Sequence, residues 1–398
     1  MKNNLSKKAE KIAPSLTLEI SAMAAELKSK GINVIGFGVG EPDFETPKNI
    51  KDAAIEAINN GITRYTPTAG IVELREAICE KFEKDNELKY DLDNIVVSSG
   101  AKQSLSNAFM AILNPGDEVI IPNPYWVSYP EAIKLADGKP VLLETKEENG
   151  FKYSFEDLRD AINDKTKAIV LNSPSNPTGI IYDREDLEKI AELAVEKNIF
   201  IISDEIYEKL IYDGEHISIA SINEDIKDLT ITVNGVSKAY AMTGWRIGYT
   251  ASNKKIAKLM STIQGHTTSN ANSIAQYASI EAIKGDQSEV DKMREEFKKR
   301  KDFMVNRINE IDNLSCLEPR GAFYIMLNIS KLFGKKLFGV EINSSIDFTK
   351  VILEKGNVAV VPGIAFGNDN FVRLSYANSL ENIAEGLNRI EKVLIEGR

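Results

Sequence analysis

Between Asn94 and Ser252, short apolar runs alternate with helix-like segments, and this alternation limits the possible folds more than any other feature. "NIVVSSG" reads as a buried strand and "AKQSLSNAFMAIL" as the helix after it. "DEVIIPNP" is a strand, followed by the helix-like "PYWVSYPEAIKLA". "KAIVLNSP" precedes the amphipathic "REDLEKIAELAVEK", and "NIFIISDE", "LTITVNGVSK" and "GWRIGYTAS" read as three further strands. Strands separated by helices predict an α/β unit built on a largely parallel sheet. The pattern changes near Lys284, where a charged helix leads into "GAFYIMLNIS", "NVAVVPG", "FVRLSYA" and a last helix, "SLENIAEGLNRIEKVLIE". This is the signature of a smaller α+β unit. At 398 residues the chain exceeds what one core usually holds. The predicted division is a large domain over 47–283 and a small one formed by 1–46 with 284–398.

Composition removes several function classes. A net charge of -10 argues against a general nucleic-acid binder, which needs basic patches. Two cysteines without a CxxC spacing give no disulfide framework or cysteine zinc site and fit a reducing cytoplasm. Two histidines, His216 and His266, are too few to favour a histidine metal site or triad and are read as surface or packing residues. The start, "MKNNLSKKAEKIAPS", has no apolar core for a signal peptide. No apolar run approaches the ~20 residues of a membrane span.

Ligands of open parallel sheets bind beyond the carboxyl ends of strands, so the residues that follow each strand carry the information. After "NIVV", Gly100 and Ala101 open a helix. They form either a small-residue turn or an anion site of backbone N–H groups. After "KAIVL", two prolines and a glycine hold Asn176 in a rigid loop. Asp204 ends an apolar run, either as a helix N-cap or as a carboxylate that needs a positive partner, with Tyr207 one helical turn on. Lys238 lies in "VNGVSKAYAMTGWRIGYTAS", among small residues and hydroxyls. It marks either a turn or a lysine kept dry, and desolvation favours the neutral, nucleophilic amine. Ser237 flanks it, and Arg246 offers a planar fork of donors suited to phosphate. An anion-binding helix start, an acid, a lysine nucleophile and an arginine fork together describe a site for a phosphorylated aldehyde with a basic ring nitrogen, which is pyridoxal 5′-phosphate. "GFGVGE" fails as a dinucleotide loop because Glu41 takes the third glycine position, and "GVSKA" fails as a nucleophile elbow because Ala239 ends it.

"SNPTG", "SDEIY" and "SKAYAMTGWRIGY", in this order, resemble the class I and II aminotransferases, of the fold-type I pyridoxal-phosphate enzymes. "GEPDF", "RYTPTAGIVELREAI" and "FVRLSYA" extend the likeness over nearly the whole chain, and "PYWVSYPE" places it nearest the bacterial aspartate aminotransferase branch. The resemblance implies a seven-stranded, mostly parallel sheet in the large domain. It implies Lys238 as the lysine that joins the cofactor and moves the substrate proton, and Asp204 as the partner of the pyridine nitrogen. Tyr207 and Asn176 would meet the phenolic oxygen, while Gly100, Ala101, Ser237 and Arg246 would cradle the phosphate. Trp126 would stack on the ring. Arg373, helped by Gly40 and Asn176, would hold the substrate α-carboxylate. Tyr65 would reach the phosphate in a neighbouring subunit, implying a homodimer with shared sites.

The activity implied is transfer of the amino group of L-aspartate to 2-oxoglutarate in a cytoplasmic enzyme. Rivals within the fold are an aromatic or neutral amino-acid aminotransferase, a β-lyase or a cyclopropane-carboxylate synthase. A regulator that borrows the fold would need a further DNA-binding domain, and the match begins near residue 14 and leaves no room for one. The side-chain carboxylate of aspartate needs a second cation. "IQGHTTSNANS" offers no counterpart of the arginine used by animal-type enzymes, whereas Lys102 and Thr17 occupy the positions used by the bacterial branch. The alternative for Lys102 is a solvated residue in a helix's first turn, where the helix dipole disfavours a cation. Relatives that aminate prephenate carry a lysine before the Pro-Ser pair. Ala13 stands there, which predicts little prephenate activity.

Overall fold

The computed structural model describes residues 5–14 and 16–397, with the side chains of 16–18 and 21 outside the described set. Seven strands form one sheet in the order Ile95–Ser98, Gly248–Ala251, Thr230–Gly235, Phe200–Asp204, Thr166–Asn172, Glu118–Asn123, Lys139–Glu144. Only Gly248–Ala251 runs antiparallel to its neighbours, and the other pairs are parallel. Six of these strands follow the apolar runs read above. The seventh, Lys139–Glu144, lies at the edge with three of its six residues exposed, so it shows no continuous apolar run.

Parallel strands need crossover helices, which cover both faces of the sheet. Ala101–Ile112 buries Leu105, Ala108 and Phe109 on one face with Val96, Ile121 and Val233. Arg184–Lys197 buries Leu187, Ile190 and Ala194 on the other with Ile169 and Ile201. "PYWVSYPEAIKLA" is helical only over Tyr129–Leu135, because Pro130 belongs in a first helical turn, where no N–H is needed. The residues from Pro124 to Ser128 are irregular and pass over the end of the sheet.

After the long helix Ser288–Asn309, a second sheet follows the order Val361–Pro362, Phe371–Ser375, Tyr324–Asn328, Ser315–Cys316, all antiparallel. Ser345–Gly356 and Leu380–Glu396 pack on it through Phe348, Ile352, Leu387 and Ile390. Ile35–Gly36 pairs in parallel with Val358–Ala359, which ties the early chain to this unit. Among the described residues no helix is long and apolar enough to cross a membrane.

Candidate active site

A cavity of about 290 Å³ opens at the carboxyl ends of the parallel strands, with Arg373 and Tyr324 of the second sheet closing one side. The parallel strands deliver functional side chains at their carboxyl ends, Asn172 and Asp204 as last ladder residues and Lys238 three residues beyond Gly235. Asn172 and Asp204 are register partners. The Asn172 Nδ2 group donates to the Asp204 carbonyl at 2.9 Å, while its Oδ1 accepts from the Asn176 backbone N–H at 2.7 Å. One strand-end amide therefore sets both the acid and the asparagine loop.

Asp204 is not a helix cap. The residues after it form consecutive turns rather than an α-helix, with Glu208 N–H bonded to Glu205 O and Leu210 N–H to Tyr207 O. Its Oδ2 accepts from the Tyr129 hydroxyl at 2.7 Å and its Oδ1 from the Ile206 N–H at 3.3 Å. Burial raises its carboxyl to about 6, against the lowering effect of the Tyr129 bond.

Lys238 follows Thr230–Gly235 in a run of turns and projects into the cavity, where its Nζ donates to the Gly40 carbonyl at 2.5 Å. Burial, then the Arg373 guanidinium, lowers it to about 8. A fraction of it is therefore a neutral amine near neutral pH. Tyr207 lies beneath, its hydroxyl 2.9 Å from that of Tyr324.

Arg246 has a left-handed backbone, φ 60°, which turns its guanidinium back toward Gly100. A side chain at Gly100 would collide with that guanidinium, and the residue's φ of 87° also favours glycine. A side chain at Gly248 would strike the backbone of Ala101, so the strand and the helix start approach closely because both are small there. Ala101, Ser237 and Arg246 converge on one end of the cavity. Lys102 joins them, with its Nζ 5.1 Å from the Trp126 ring centroid and its basicity lowered by burial and by Arg246.

Arg373 is 3% exposed and stacks between the rings of Tyr324 and Phe366. It donates to Asn176 Oδ1 at 3.0 Å and to Gly38 O at 2.9 Å, while its buried Nε has no partner among the described residues. Gly40 faces the Tyr324 hydroxyl, which lies 3.0 Å from where a Cβ would be.

One expected residue lies elsewhere. Tyr65 is 91% exposed and outside the cavity of its own chain. The side chain of Thr17, like Ser15, lies outside the described residues. Sequence reasoning missed Asn172, Tyr129 and Tyr324. Asn172 carried a usable signal, a polar residue that ends an apolar strand, whereas both tyrosines lie in apolar contexts that read as core.

The chain matches the family model for aminotransferase class I and II over residues 32–390. It is 50% identical over 394 residues to the aspartate aminotransferase of Bacillus sp. (strain YM-2), covering 98% of this chain and 99% of that protein. It is 48% identical over 100% of both chains to a probable aspartate/prephenate aminotransferase of Aquifex aeolicus (strain VF5). It superposes on the aspartate aminotransferase of Rhizobium meliloti with a TM-score of 0.96 at 43% identity, covering 99% of each chain. The Thermus thermophilus aspartate aminotransferase with maleate gives a TM-score of 0.93 at 42% identity, covering 98% of this chain and 100% of that one.

Proposed function

Since this chain belongs to the class I and II aminotransferases, we propose that it moves the amino group of L-aspartate to 2-oxoglutarate, giving oxaloacetate and L-glutamate, with pyridoxal 5′-phosphate as cofactor. The observation that carries this reading is the charge inventory of one cavity. Lys102, Lys238, Arg246 and Arg373 line it, and among the described residues Asp204 is the single acid with them. None of the four cations forms an ion pair with a carboxylate among the described residues. A cofactor phosphate and the two carboxylates of aspartate would supply the missing negative charge.

The residues fit the cofactor group by group. The orphaned buried Nε of Arg373 and the guanidinium packed against Gly100 are donors held ready for anions. Ala101, Ser237 and Arg246 would hold the phosphate, with Gly100 leaving room for the arginine. Asp204 would hold the ring nitrogen and Trp126 a ring face. Asn176 and Tyr207 would meet the phenolic oxygen, and Lys238 the aldehyde. When bound, the cofactor supplies an electron-accepting ring that stores the charge developed at the substrate's α-carbon.

The chain's own residues do the remainder. Arg373 grips the α-carboxylate and fixes the α C–H direction. Asn176 and the Gly38 carbonyl orient the guanidinium. Lys238, at about 8, takes the α-proton as a neutral amine and returns it on the other side of the exchange. The Gly40 carbonyl holds Nζ within reach while its proton load changes. Asp204 would supply a fixed negative charge to the ring nitrogen. Lys102 meets the side-chain carboxylate. The maleate of the Thermus thermophilus structure, a dicarboxylate, supports that preference.

The same reading takes 47–283 as the cofactor domain, and 1–46 with 284–398 as the domain that closes on substrate. It also makes the protein a cytoplasmic homodimer with Tyr65 crossing to the partner's phosphate. The exposure of Tyr65, and of Ile55 and Ile58 on the nearby helix Lys48–Asn59, supports a covered face. A panel of amino donors with 2-oxoglutarate tests the activity. Aspartate should lead, with neutral and aromatic donors far behind, and prephenate offered as the amino acceptor in place of 2-oxoglutarate should react poorly. A panel led by an aromatic or neutral donor, or loss of side-chain carbon without glutamate formation, would overturn the assignment.

A further inference from the structure

We infer that Tyr129 is a positioning residue of the amino-transfer reaction, whose hydroxyl keeps Asp204 an ionised carboxylate oriented for the ring nitrogen. The inference rests on the cofactor reading above and deepens it. Tyr129 is 1% exposed and donates to Asp204 Oδ2 at 2.7 Å, the shorter of the two hydrogen bonds this carboxylate receives. The N–H of Tyr129 closes a turn onto the Trp126 carbonyl at 3.0 Å, and the two rings meet edge to face at 5.2 Å. One tight turn therefore carries both the indole proposed for the ring face and the donor that fixes the acid proposed for the ring nitrogen.

The chemistry of the donor decides what it can do. Asp204 is fully desolvated, which by itself favours the protonated acid, useless as a counter-charge for a pyridinium. A hydrogen bond donated to the carboxylate favours the ionised form. A lysine or arginine in this place would do so as well, but its charge would cancel the field that the ring nitrogen needs. A histidine would titrate in the working range. Burial, with the Asp204 charge next, pushes the Tyr129 phenol well above its ordinary value, so it stays a neutral donor throughout. The other titratable groups facing this pair are Glu205, Tyr207, Lys238 and Tyr153. Glu205 disfavours the Asp204 charge and Lys238 favours it, and Tyr129 is the one that touches the carboxylate.

The test is a comparison of wild type with Tyr129→Phe, both reconstituted with pyridoxal 5′-phosphate labelled with nitrogen-15 at the ring nitrogen. The phenyl ring keeps the packing against Trp126 and removes only the donor. In wild type the label should remain in the protonated position through neutral pH. In Tyr129→Phe the change to the unprotonated position should come at lower pH. The value of kcat should fall ~10–100-fold, the size of a lost hydrogen bond to a buried charge, with KM for aspartate little changed. In an Asp204→Asn background the same substitution should cost almost nothing further, since its target is gone. A bound label whose titration ignores Tyr129→Phe, or a loss confined to KM, overturns this inference alone. Failure of wild type to bind the label overturns the cofactor reading and this inference with it.

Discussion

The segment Ser203–Leu210 has two buried charged faces. Asp204 and Tyr207 face the cavity, while Glu205 and Glu208 face the opposite way into a closed network. Glu205 accepts from the hydroxyls of Ser203 and Ser218 at 2.8 and 2.7 Å and faces His216 Nε2 at 3.0 Å. Glu208 pairs with Lys81 and accepts from Asn86 at 3.0 Å. Burial works against ionisation of Glu208, but Lys81 and then His216 outweigh it and hold the carboxyl at about 2. On the network side each acid meets a positive or hydrogen-bonding partner. On the cavity side burial wins, leaving Lys238 at about 8 and Asp204 at about 6. Both faces carry the cost of desolvation. The network outweighs it within the protein, whereas the Tyr129 bond to Asp204 offsets it only in part and the cavity leaves the rest to a guest.

The largest expected effect is at Lys238. Lys238→Met should reduce transamination by at least 10²–10⁴-fold, the range for a lost proton-transfer group alone. Borohydride should no longer fix the cofactor to the chain. The cofactor-free variant should nevertheless melt higher than wild type at pH 7. Folding lowers this lysine from 10.5 to about 8, so its protonation opposes folding at all pH values below about 8. The advantage should shrink as pH rises through 8 and vanish above the ordinary lysine value. A lower melting temperature at pH 7 would place Lys238 with the structural charges and break the contrast.

Glu208→Ala should behave in the opposite sense, losing ~3–5 kcal/mol because Lys81 is left buried and unpaired. A depressed carboxyl stabilises the fold fully above its unfolded value of 4.5. The Glu208 contribution should therefore be lost as pH falls from 4.5 toward 2, read as an acid limb in denaturant midpoints that the variant lacks. A variant of wild-type stability would show that the network is not what holds Ser203–Leu210.

Asp204→Asn falls between these two. The amide keeps the shape but loses the charge, and kcat should drop ~10²–10³-fold. Folding raises this carboxyl from 3.8 to about 6, so its stabilising contribution is full below 3.8 and gone above 6. The cofactor-free variant should thus gain up to ~3 kcal/mol at pH 7 and nothing at pH 3.5. A loss of stability at pH 7 with catalysis intact would count Asp204 among the scaffold charges.

How much of this was legible in the sequence follows from what each signal depends on. Six strands announced themselves because a strand buried on both faces must be continuously apolar, and Asp204, Asn176 and Lys238 stood out by breaking those runs at the cavity end. The edge strand Lys139–Glu144, with exposed residues and Pro140, had no such run to show. The helix expected after Asp204 is absent since that segment is held from both sides by side chains distant in sequence. Lys81 in "EKFEK" reads as a solvated helix face, yet it is 6% exposed and paired with Glu208, more than a hundred positions away. Tyr129 and Tyr324 read as core because they are core, and their function lies only in where one hydroxyl points. Local pattern reports burial, whereas direction across the cavity is set by tertiary packing.

The smallest expected effect tests whether the cavity's spare positive charge selects the substrate. Lys102 lies at the start of Ala101–Ile112, where the helix dipole already repels a cation. Burial and then Arg246 lower its basicity further, and its only described neighbour of note is the Trp126 face. Lys102 is exposed, and its side chain lines the mouth of the cavity. Lys102→Ala should cut kcat/KM for aspartate ~10–100-fold, equal to roughly 1.4–2.7 kcal/mol of transition-state binding. Alanine as donor, with no side-chain carboxylate, should be little affected, and cofactor affinity should be unchanged. A flexible ammonium can also withdraw from a neutral side chain more cheaply than a rigid guanidinium could, so residual activity with neutral donors fits the same account. Equal losses for aspartate and alanine would assign Lys102 to the cofactor phosphate beside Arg246. The dicarboxylate preference would then need another cation, and the cavity's excess charge would be explained by the phosphate and one carboxylate alone.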